Sequence, residues 1–194
     1  MKTLIGPKKI VTSVFISGTG SNLNNLINFS KKKNSPISII LVVSNNKNAK
    51  GLGFSKKNKI ESKVYQYTNK MISENKILKD LNKKKVQLIC LAGFMKILSK
   101  NFIKKFNGKI LNIHPSLLPK YKGLNTHKRV IENNEKFSGC TVHSVSSKLD
   151  SGKIILQKKI RINKKDNYKT LGEKILRQEH LLYPRAIKKF ISSY

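Results

Sequence analysis

Three apolar runs place the strongest constraint on how this chain can fold. Residues 9–17, 36–44 and 86–92 are largely apolar, without a regular polar alternation. A strand of that kind is covered on both faces, which is typical of a parallel sheet. Segments with helical spacing lie between the runs, and parallel strands are joined through such helices. The sequence therefore predicts an α/β fold with a mostly parallel, twisted sheet and helices on both of its faces.

The remaining elements are predicted from the same patterns. Further strands are expected at residues 63–67, 110–113, 139–145 and 154–162, and further helices at 23–29, 51–59, 70–84, 126–134 and 166–192. The apolar side of the helix at 70–84 is predicted to comprise Met71, Ile72, Ile77 and Leu81. The last helix is long, with one apolar stripe of Leu171, Ile175, Leu182, Ala186 and Phe190. No internal repeat or linker-like stretch interrupts the pattern, so a single domain is expected.

The charge of the chain raises the question of a nucleic-acid partner. There are 41 Lys and Arg residues against 9 Asp and Glu residues, a formal net charge of +32. Such a surplus is typical of proteins that bind nucleic acid or an anionic membrane. The bases are mostly Lys, however, and they are spread along the chain rather than clustered with Arg and aromatic residues. We favour a general bias toward Lys and expect no specific nucleic-acid or membrane partner, while the charge would steer an anionic substrate toward the protein.

The cysteines and the apolar runs indicate where such a chain works. Cys90 and Cys140 lie in strand-like runs, and two thiols in 194 residues do not make a disulfide framework. No further ligands accompany them at metal-binding spacing. No run approaches the ~20 apolar residues that span a bilayer, and residues 1–9 are too weakly apolar for a signal peptide. We therefore expect a reducing, cytoplasmic location and no metal.

The stretch ILNIHPSLLP at 110–119 places two polar side chains in an apolar strand. Asn112 and His114 are two residues apart, so both project from the same face of an extended backbone. Pro115 has no N–H to donate and ends the strand. Open α/β sheets bind ligands at the carboxyl ends of their strands, which makes the pair a candidate site. The alternative is a capped strand end with an incidental Asn and a solvated His.

The first strand runs directly into the glycine turn GTGSN at 18–22 and then into a helix. Glycines let the backbone approach a ligand, Ser21 or Asn22 is predicted to cap the helix, and the first amides of the helix face an anion. The turn matches neither GxGxxG nor the longer phosphate loop that ends in GK[ST]. A phosphate cradle and a plain structural turn both fit this pattern.

Asp150 is the acid best placed to act with the Asn–His pair. It lies in the loop KLDSG beside a strand end, where the alternative is a turn aspartate that binds its own backbone. A carboxylate near His114 is expected to raise the pKa of the imidazole and keep it protonated near neutral pH. A protonated His beside the Asn112 amide would stabilise an oxyanion. Ser116 lacks the surroundings of an activated nucleophile, so the predicted chemistry is direct addition to a carbonyl carbon.

Four stretches together resemble a known family. ISGTGSNL, LAGFMKILS, NIHPSLLPKYKGLNTH and TVHSVSSKLDSGKIILQ occur in this order along nearly the whole chain. In order and spacing they resemble the phosphoribosylglycinamide formyltransferases, the folate-dependent enzymes of purine biosynthesis. The resemblance implies a single Rossmann-like domain over residues 1–194, with a short N-terminal extension at 1–9. It also implies transfer of a formyl group from 10-formyltetrahydrofolate to the amine of glycinamide ribonucleotide, by a monomer or homodimer.

The resemblance assigns roles to individual residues of this chain. It implies a catalytic trio of Asn112, His114 and Asp150. The nucleotide would be held at its phosphate by Gly20, Ser21 and Asn22 and at its glycinamide part by Glu179. Folate contacts are implied for Lys70, Met95, Lys96, Ile97, Leu98 and Asn112. For residues 95–98 the pattern alone favours a core role, whereas the family favours a slot for the pterin ring. The loop around Asp150 is expected to close over the folate.

Three positions depart from the family's pattern. Lys122 stands where the turn after SLLP usually has Pro, Asn125 where many members have His, and Ser151 where Gly commonly follows the catalytic acid. None of these changes removes a catalytic group, so they bear on rate and affinity rather than on the type of reaction.

Two other functions are compatible with parts of the sequence. An initiator-tRNA formyltransferase would suit the basic charge, but its relatives carry a further C-terminal domain that we do not expect here, and formyltetrahydrofolate hydrolases carry a regulatory domain. The alternative from another class is a basic nucleic-acid-binding protein on the same frame. The presence of Asn112, His114 and Asp150 argues against it.

Overall fold

The computed structural model describes residues 9–193, so all of the predicted extension except Lys9 lies outside the described residues. The chain divides into two compact units. The first comprises Met1–Met95 and Phe106–Gly108, and the second comprises Lys96–Lys105 and Lys109–Tyr194. The prediction of a single domain stays a prediction.

The first unit is a parallel sheet with its connecting helices. In chain order it contains β1 (Ile10–Ile16), α1 (Ser21–Ser30), β2 (Ile37–Ser44), α2 (Leu52–Lys57), β3 (Glu61–Val64), α3 (Lys70–Lys83) and β4 (Leu88–Leu91). The four strands lie in the order β3-β2-β1-β4, and every pair is parallel. The side chains of Val14, Phe15 and Ile16 at the end of β1 are fully buried. The three apolar runs therefore form β1, β2 and β4, as predicted.

The apolar side predicted for α3 is wrong at two of its four positions. Ile77 and Leu81 are buried, but Met71 is 67% exposed and Ile72 is 49% exposed. The residues one turn before Ile77 on its own face are Ser73 and Glu74, and these two are buried instead. The buried face is thus set by the helical phase of Ile77 and Leu81, which places Met71 and Ile72 toward solvent.

The second unit is built on antiparallel strands. It contains α4 (Lys100–Lys105), β5 (Lys109–His114), α5 (Thr126–Glu132), β6 (Phe137–Ser144), β7 (Ile154–Arg161) and α6 (Tyr168–Ser192). β6 pairs antiparallel with both β5 and β7. The short helix α4 was absent from the sequence prediction.

The helix α6 follows the predicted stripe except at its end. Leu171, Ile175, Leu182 and Ala186 are buried, whereas Phe190 is only partly buried. The side chain of Asn167 caps the helix by accepting hydrogen bonds from the N–H groups of residues 169 and 170. The hydroxyl of Tyr183 is buried and donates to the carbonyl of Leu111 on β5 at 3.1 Å. This bond ties α6 to the strand that carries Asn112 and His114.

Candidate functional site

His114 is the last residue of β5 and is almost fully buried, with 5% of its surface exposed. Its Nε2 atom lies 2.9 Å from the carbonyl oxygen of Tyr121. A carbonyl only accepts, so Nε2 carries a proton in this arrangement. The Ser116 hydroxyl also donates to the Tyr121 carbonyl, at 3.2 Å, and to that of Lys120, at 2.8 Å. Ser116 therefore fixes the turn that holds the imidazole.

Asp150 lies against the other side of that imidazole. Its Oδ2 atom is 3.4 Å from Nδ1 of His114 and accepts a hydrogen bond of 2.9 Å from the backbone N–H of Gly123. Its Oδ1 atom is 3.6 Å from Nε2 of His143. The backbone of Asp150 has a φ of 43°, in the left-handed region that non-glycine residues seldom adopt. The carboxylate predicted to pair with His114 is thus in contact with it.

Asn112 joins the cluster through His143. The two residues face each other across the β5–β6 ladder, with Nδ2 of Asn112 at 3.3 Å from Nε2 of His143. Nδ1 of His143 lies 2.9 Å from the carbonyl of Ser144 and therefore carries a proton. A neutral His143 accepts from the Asn112 amide at Nε2, and a charged His143 donates toward Asp150 from that same atom.

His143 is the site residue that sequence reasoning missed. The strand that contains it was predicted, but no role was given to its histidine. A role for His143 could be found only by combining two strands: when β5 and β6 are paired antiparallel, position 143 lies opposite position 112. Strand pairing of this kind is a tertiary property that the local pattern does not contain.

The pKa values of the cluster follow from burial and from its charged neighbours. Burial acts to raise the pKa of Asp150, but hydrogen bonds from His143 and from the Gly123 N–H, with the charge of His114, hold it below its ordinary value. For His114, burial lowers the pKa and outweighs the opposing effects of the Tyr121 carbonyl and of Asp150. The expected rise in the pKa of His114 is therefore wrong for this state of the protein. Burial destabilises the charged imidazolium by more than the nearby carboxylate stabilises it.

In the first unit, the residues of the predicted phosphate cradle lie at the start of α1. Gly20 is the N-cap residue, with a φ of 76° and no side-chain cap, so the expected cap by Ser21 or Asn22 is wrong. Both residues instead lie in the first turn, which contains no acid. A Cβ on Gly20 would lie 2.4 Å from Cα of Gly51. The two glycine turns therefore touch, and the amides that begin α1 carry the positive end of the helix.

The helix α5 begins in a similar way. Asn125, with a φ of 55°, is the N-cap of α5, and Thr126 is the first residue of the helix. The side chain of Asn125 makes no cap hydrogen bond. Asn tolerates this left-handed conformation better than most residues.

The implied folate and substrate residues differ in exposure. Met95 and Ile97 are 61% and 63% exposed, whereas Leu98 is buried. Lys70 and Lys96 are exposed. Glu179 is buried on α6 within the second unit, close enough to Cys140 that its charge, after burial, helps raise the pKa of that thiol to about 12.

The described residues, 9–193, lack two further features. None of their helices has both the length and the apolar character needed to cross a membrane. In the same part of the chain, no group of three or more His, Cys, Asp or Glu side chains is arranged to hold a metal ion. Cys90 and Cys140 are both buried.

Comparison with known proteins gives consistent matches. Residues 8–187 match the formyl transferase family. The chain is 42% identical over 186 residues to a phosphoribosylglycinamide formyltransferase of Haemophilus influenzae, covering 94% of this chain and 87% of that protein. It is 44% identical over 187 residues to a trifunctional purine biosynthetic protein adenosine-3 of Gallus gallus, but it spans only 19% of that protein. The chain likewise spans less than a fifth of the other trifunctional relatives, down to 14%.

Solved structures give the same result. The crystal structure of phosphoribosylglycinamide formyltransferase from Brucella melitensis superposes with a TM-score of 0.89 at 40% identity, covering 94% of this chain and 96% of that one. Glycinamide ribonucleotide transformylase 1 from Symbiobacterium toebii superposes with a TM-score of 0.91 at 32% identity, covering 95% and 89%.

These likenesses confirm the predicted fold class, a Rossmann-like α/β fold with a long C-terminal helix. The chain belongs to the formyl transferase family. The predicted resemblance to the phosphoribosylglycinamide formyltransferases is confirmed as well, and with it the predicted class of enzyme, a formyltransferase.

Proposed function

We propose that this protein transfers a formyl group from 10-formyltetrahydrofolate to the amine of glycinamide ribonucleotide, as a step of de novo purine biosynthesis. The observation that carries the proposal is the contact of His114 with Asp150, beside Asn112, in a chain of this family. The names of the relatives that this chain covers almost completely support the same acceptor. Cytoplasmic location, and a monomer or homodimer as the working form, belong to the proposal too.

Asn112 would act on the oxygen of the formyl group. As the amine adds to the formyl carbon, negative charge develops on that oxygen, and an amide N–H in a dry site stabilises it without reorganisation. Removing one such donor costs roughly 3–4 kcal/mol of transition-state stabilisation in comparable sites. The contact of Asn112 with His143 orients the amide for this task.

His114 and Asp150 would manage the proton. Because burial lowers its pKa, His114 is neutral before the reaction and takes up the proton that the attacking nitrogen loses as the oxyanion forms. Asp150, held ionised by its hydrogen bonds, stabilises the charged imidazole and assists this transfer. That proton then passes to the folate nitrogen that leaves, so the overall transfer is balanced.

Both substrates are assigned to residues of this chain. We assign the phosphate of the nucleotide to Gly20, Ser21 and Asn22 at the start of α1, because the amides that begin a helix favour an anion. Glu179 is assigned to the glycinamide part. The donor is assigned to Lys70, Met95, Lys96, Ile97, Leu98 and Asn112. Of these, the exposed apolar side chains of Met95 and Ile97 fit a pterin ring, and the lysines fit its carboxylate-bearing tail.

A direct assay tests the proposal. Purified protein is mixed with glycinamide ribonucleotide and 10-formyltetrahydrofolate, and release of tetrahydrofolate is followed. We expect turnover by the parent and its collapse in a folded Asn112→Ala, His114→Ala double variant. A folded parent without turnover would refute the function, and a double variant with the parental rate would refute the site.

The net charge of +32 is the observation that favours a second candidate. If the protein acts on RNA, it should bind RNA with an affinity that falls steeply with salt, since released counterions drive such binding. Initiator Met-tRNA as the acceptor in the same assay separates a tRNA formyltransferase from the proposed enzyme. Formyl transfer to glycinamide ribonucleotide but not to initiator Met-tRNA would exclude the tRNA formyltransferase. RNA binding that is only weak and salt-sensitive would exclude a function in binding RNA.

A further inference from the structure

The side chains of Lys122 and Ser151, one in the turn after Tyr121 and the other next to Asp150, are in contact. Nζ of Lys122 donates to Oγ of Ser151 at 2.5 Å. The hydroxyl of Ser151 in turn donates to the carbonyl of Leu149 at 2.8 Å. The three groups form a chain of hydrogen bonds across Asp150, because residues 149 and 151 are its two neighbours.

We propose that Lys122 and Ser151 are a positioning pair that latches the Asp150 loop to the Tyr121–Gly123 turn and so holds the Asp150 carboxylate against His114. This inference rests on the proposed function for its kinetic readout.

The base of the latch is a turn that is itself fixed. Nη1 of Arg129 on α5 donates to the carbonyl of Lys122 at 2.7 Å, and its guanidinium lies 5.3 Å from the centre of the Tyr121 ring. The turn includes Tyr121 at a φ of 55° and Gly123 at 77°. Lys122 therefore extends from a backbone that is held on both sides.

The loop on the other side needs such a restraint. Asp150 adopts a left-handed backbone conformation, which is unfavourable for a residue other than glycine, so neighbouring contacts have to maintain it. Beyond it, Gly152 is fixed by proximity, since a Cβ there would lie 1.6 Å from the carbonyl oxygen of Ser144. Two hydrogen bonds then join the Asp150 loop to the Tyr121–Gly123 turn: the Gly123–Asp150 bond and the Lys122–Ser151 bond.

The latch acts on geometry rather than on charge. Lys122 bonds to Ser151, whereas the hydrogen bonds that hold the pKa of Asp150 below its ordinary value come from His143 and from the Gly123 N–H. Loss of the latch should therefore lower kcat by misplacing the carboxylate and leave the KM for glycinamide ribonucleotide unchanged. One solvent-exposed hydrogen bond with a charged donor corresponds to an effect of about three- to tenfold.

A double-mutant cycle tests the pair. Lys122→Met and Ser151→Ala should each lower kcat about three- to tenfold, and the double variant should be no slower than the slower single variant. Lys122→Arg and Ser151→Thr keep the donor and the acceptor, and they should restore most of the rate. Lys148→Met is the matched control, because it removes an exposed Lys of the same loop whose side chain has no polar partner within residues 9–193.

Hydrogen exchange of residues 146–152 gives a readout that does not depend on activity. Exchange should be faster in Lys122→Met and in Ser151→Ala, and unchanged in Lys148→Met. Additive kinetic effects, or exchange equal to that of the parent, would overturn the latch. If the folded parent fails to formylate glycinamide ribonucleotide, the proposed function fails, and the exchange experiment alone decides the latch.

Discussion

Nε2 of His143 lies 3.3 Å from the amide nitrogen of Asn112 and 3.6 Å from a carboxylate oxygen of Asp150. One imidazole therefore contacts both an amide and an acid that are 38 residues apart in the chain. Because Asp150 also contacts His114, the four side chains form one connected set within the second unit. A substitution at any one of them should therefore alter the position or the charge of its neighbours in the set.

Asn112→Ala should lower kcat on the order of 100- to 1,000-fold, as expected for loss of one oxyanion donor. The side chain is only partly buried, so the free energy of unfolding should change little. Steady-state kinetics and urea denaturation measure the two quantities. Asn163→Ala, at an exposed position after β7, is the matched control and should keep the parental rate. A kcat within a few-fold of the parent in Asn112→Ala would remove Asn112 from the mechanism.

His143→Ala should lower kcat about tenfold, since it removes the group that orients Asn112 without removing the donor itself. In the Asn112→Ala background the same substitution should have a smaller effect, because only the contact of His143 with Asp150 is then left to lose. The four kcat values of this cycle give the coupling. Effects that multiply independently would show that His143 acts elsewhere.

Stability should fall as the pH is lowered below about 6.5. Burial lowers the pKa of His114, His127 and His180 from the ordinary value of 6.5, so the unfolded chain binds protons that the folded protein does not. The stabilisation from these groups is complete above pH 6.5 and is lost as the pH falls toward their folded pKa values. Asp150, whose pKa is lowered from 3.8, adds to this loss only at more acidic pH.

Urea denaturation at pH 7.5, 6.5 and 5.5 checks the sign and the origin of this dependence. The free energy of unfolding should decline across the series, and His180→Gln, which removes one of the three titrating groups, should reduce the decline. Greater stability at pH 5.5 than at pH 7.5 would contradict the burial of these histidines.

Gly152→Ala should reduce kcat on the order of 100-fold, because a displacement of about 1 Å at a catalytic group has effects of that size. The added Cβ would meet the Ser144 carbonyl oxygen at 1.6 Å, so the backbone that follows Asp150 has to move. Gly53→Ala is the control: a Cβ there meets nothing within 4 Å, and Ala favours the helix. Parental kinetics in a folded Gly152→Ala variant would show that the loop tolerates displacement.

The sequence predicted the strands of the fold better than the details of its surfaces. The apolar runs that became β1, β2 and β4 are continuous, and that pattern has few other solutions. The faces of α3 were mispredicted because Met71 and Ile72 are apolar yet point away from the face set by Ile77 and Leu81. The cap of α1 was mispredicted, since backbone conformation at Gly20, rather than a side chain of Ser21 or Asn22, begins this helix.

The candidate site was predictable only in part, for a related reason. Asn112 and His114 follow from strand alternation, and Asp150 from the scarcity of acids and the resemblance. The role of His143 required the β5–β6 register, and the contact of Lys122 with Ser151 required the backbone of two turns. The pKa of His114 was misjudged because burial of a strand's last residue is not visible in the local sequence.

Ser21→Asp should raise the KM for glycinamide ribonucleotide at least tenfold without lowering stability. A carboxylate in the first turn of α1, which has no acid now, repels the phosphate assigned to that position but interacts favourably with the helix dipole. The Ser21→Asn variant, in which Asn has the same shape as Asp, adds no charge and should keep a KM near that of the parent. A higher KM without a loss of stability indicates a lost phosphate contact. A variant that is merely misfolded would lose both stability and affinity. If Ser21→Asp binds the nucleotide as tightly as Ser21→Asn, the start of α1 does not hold the phosphate.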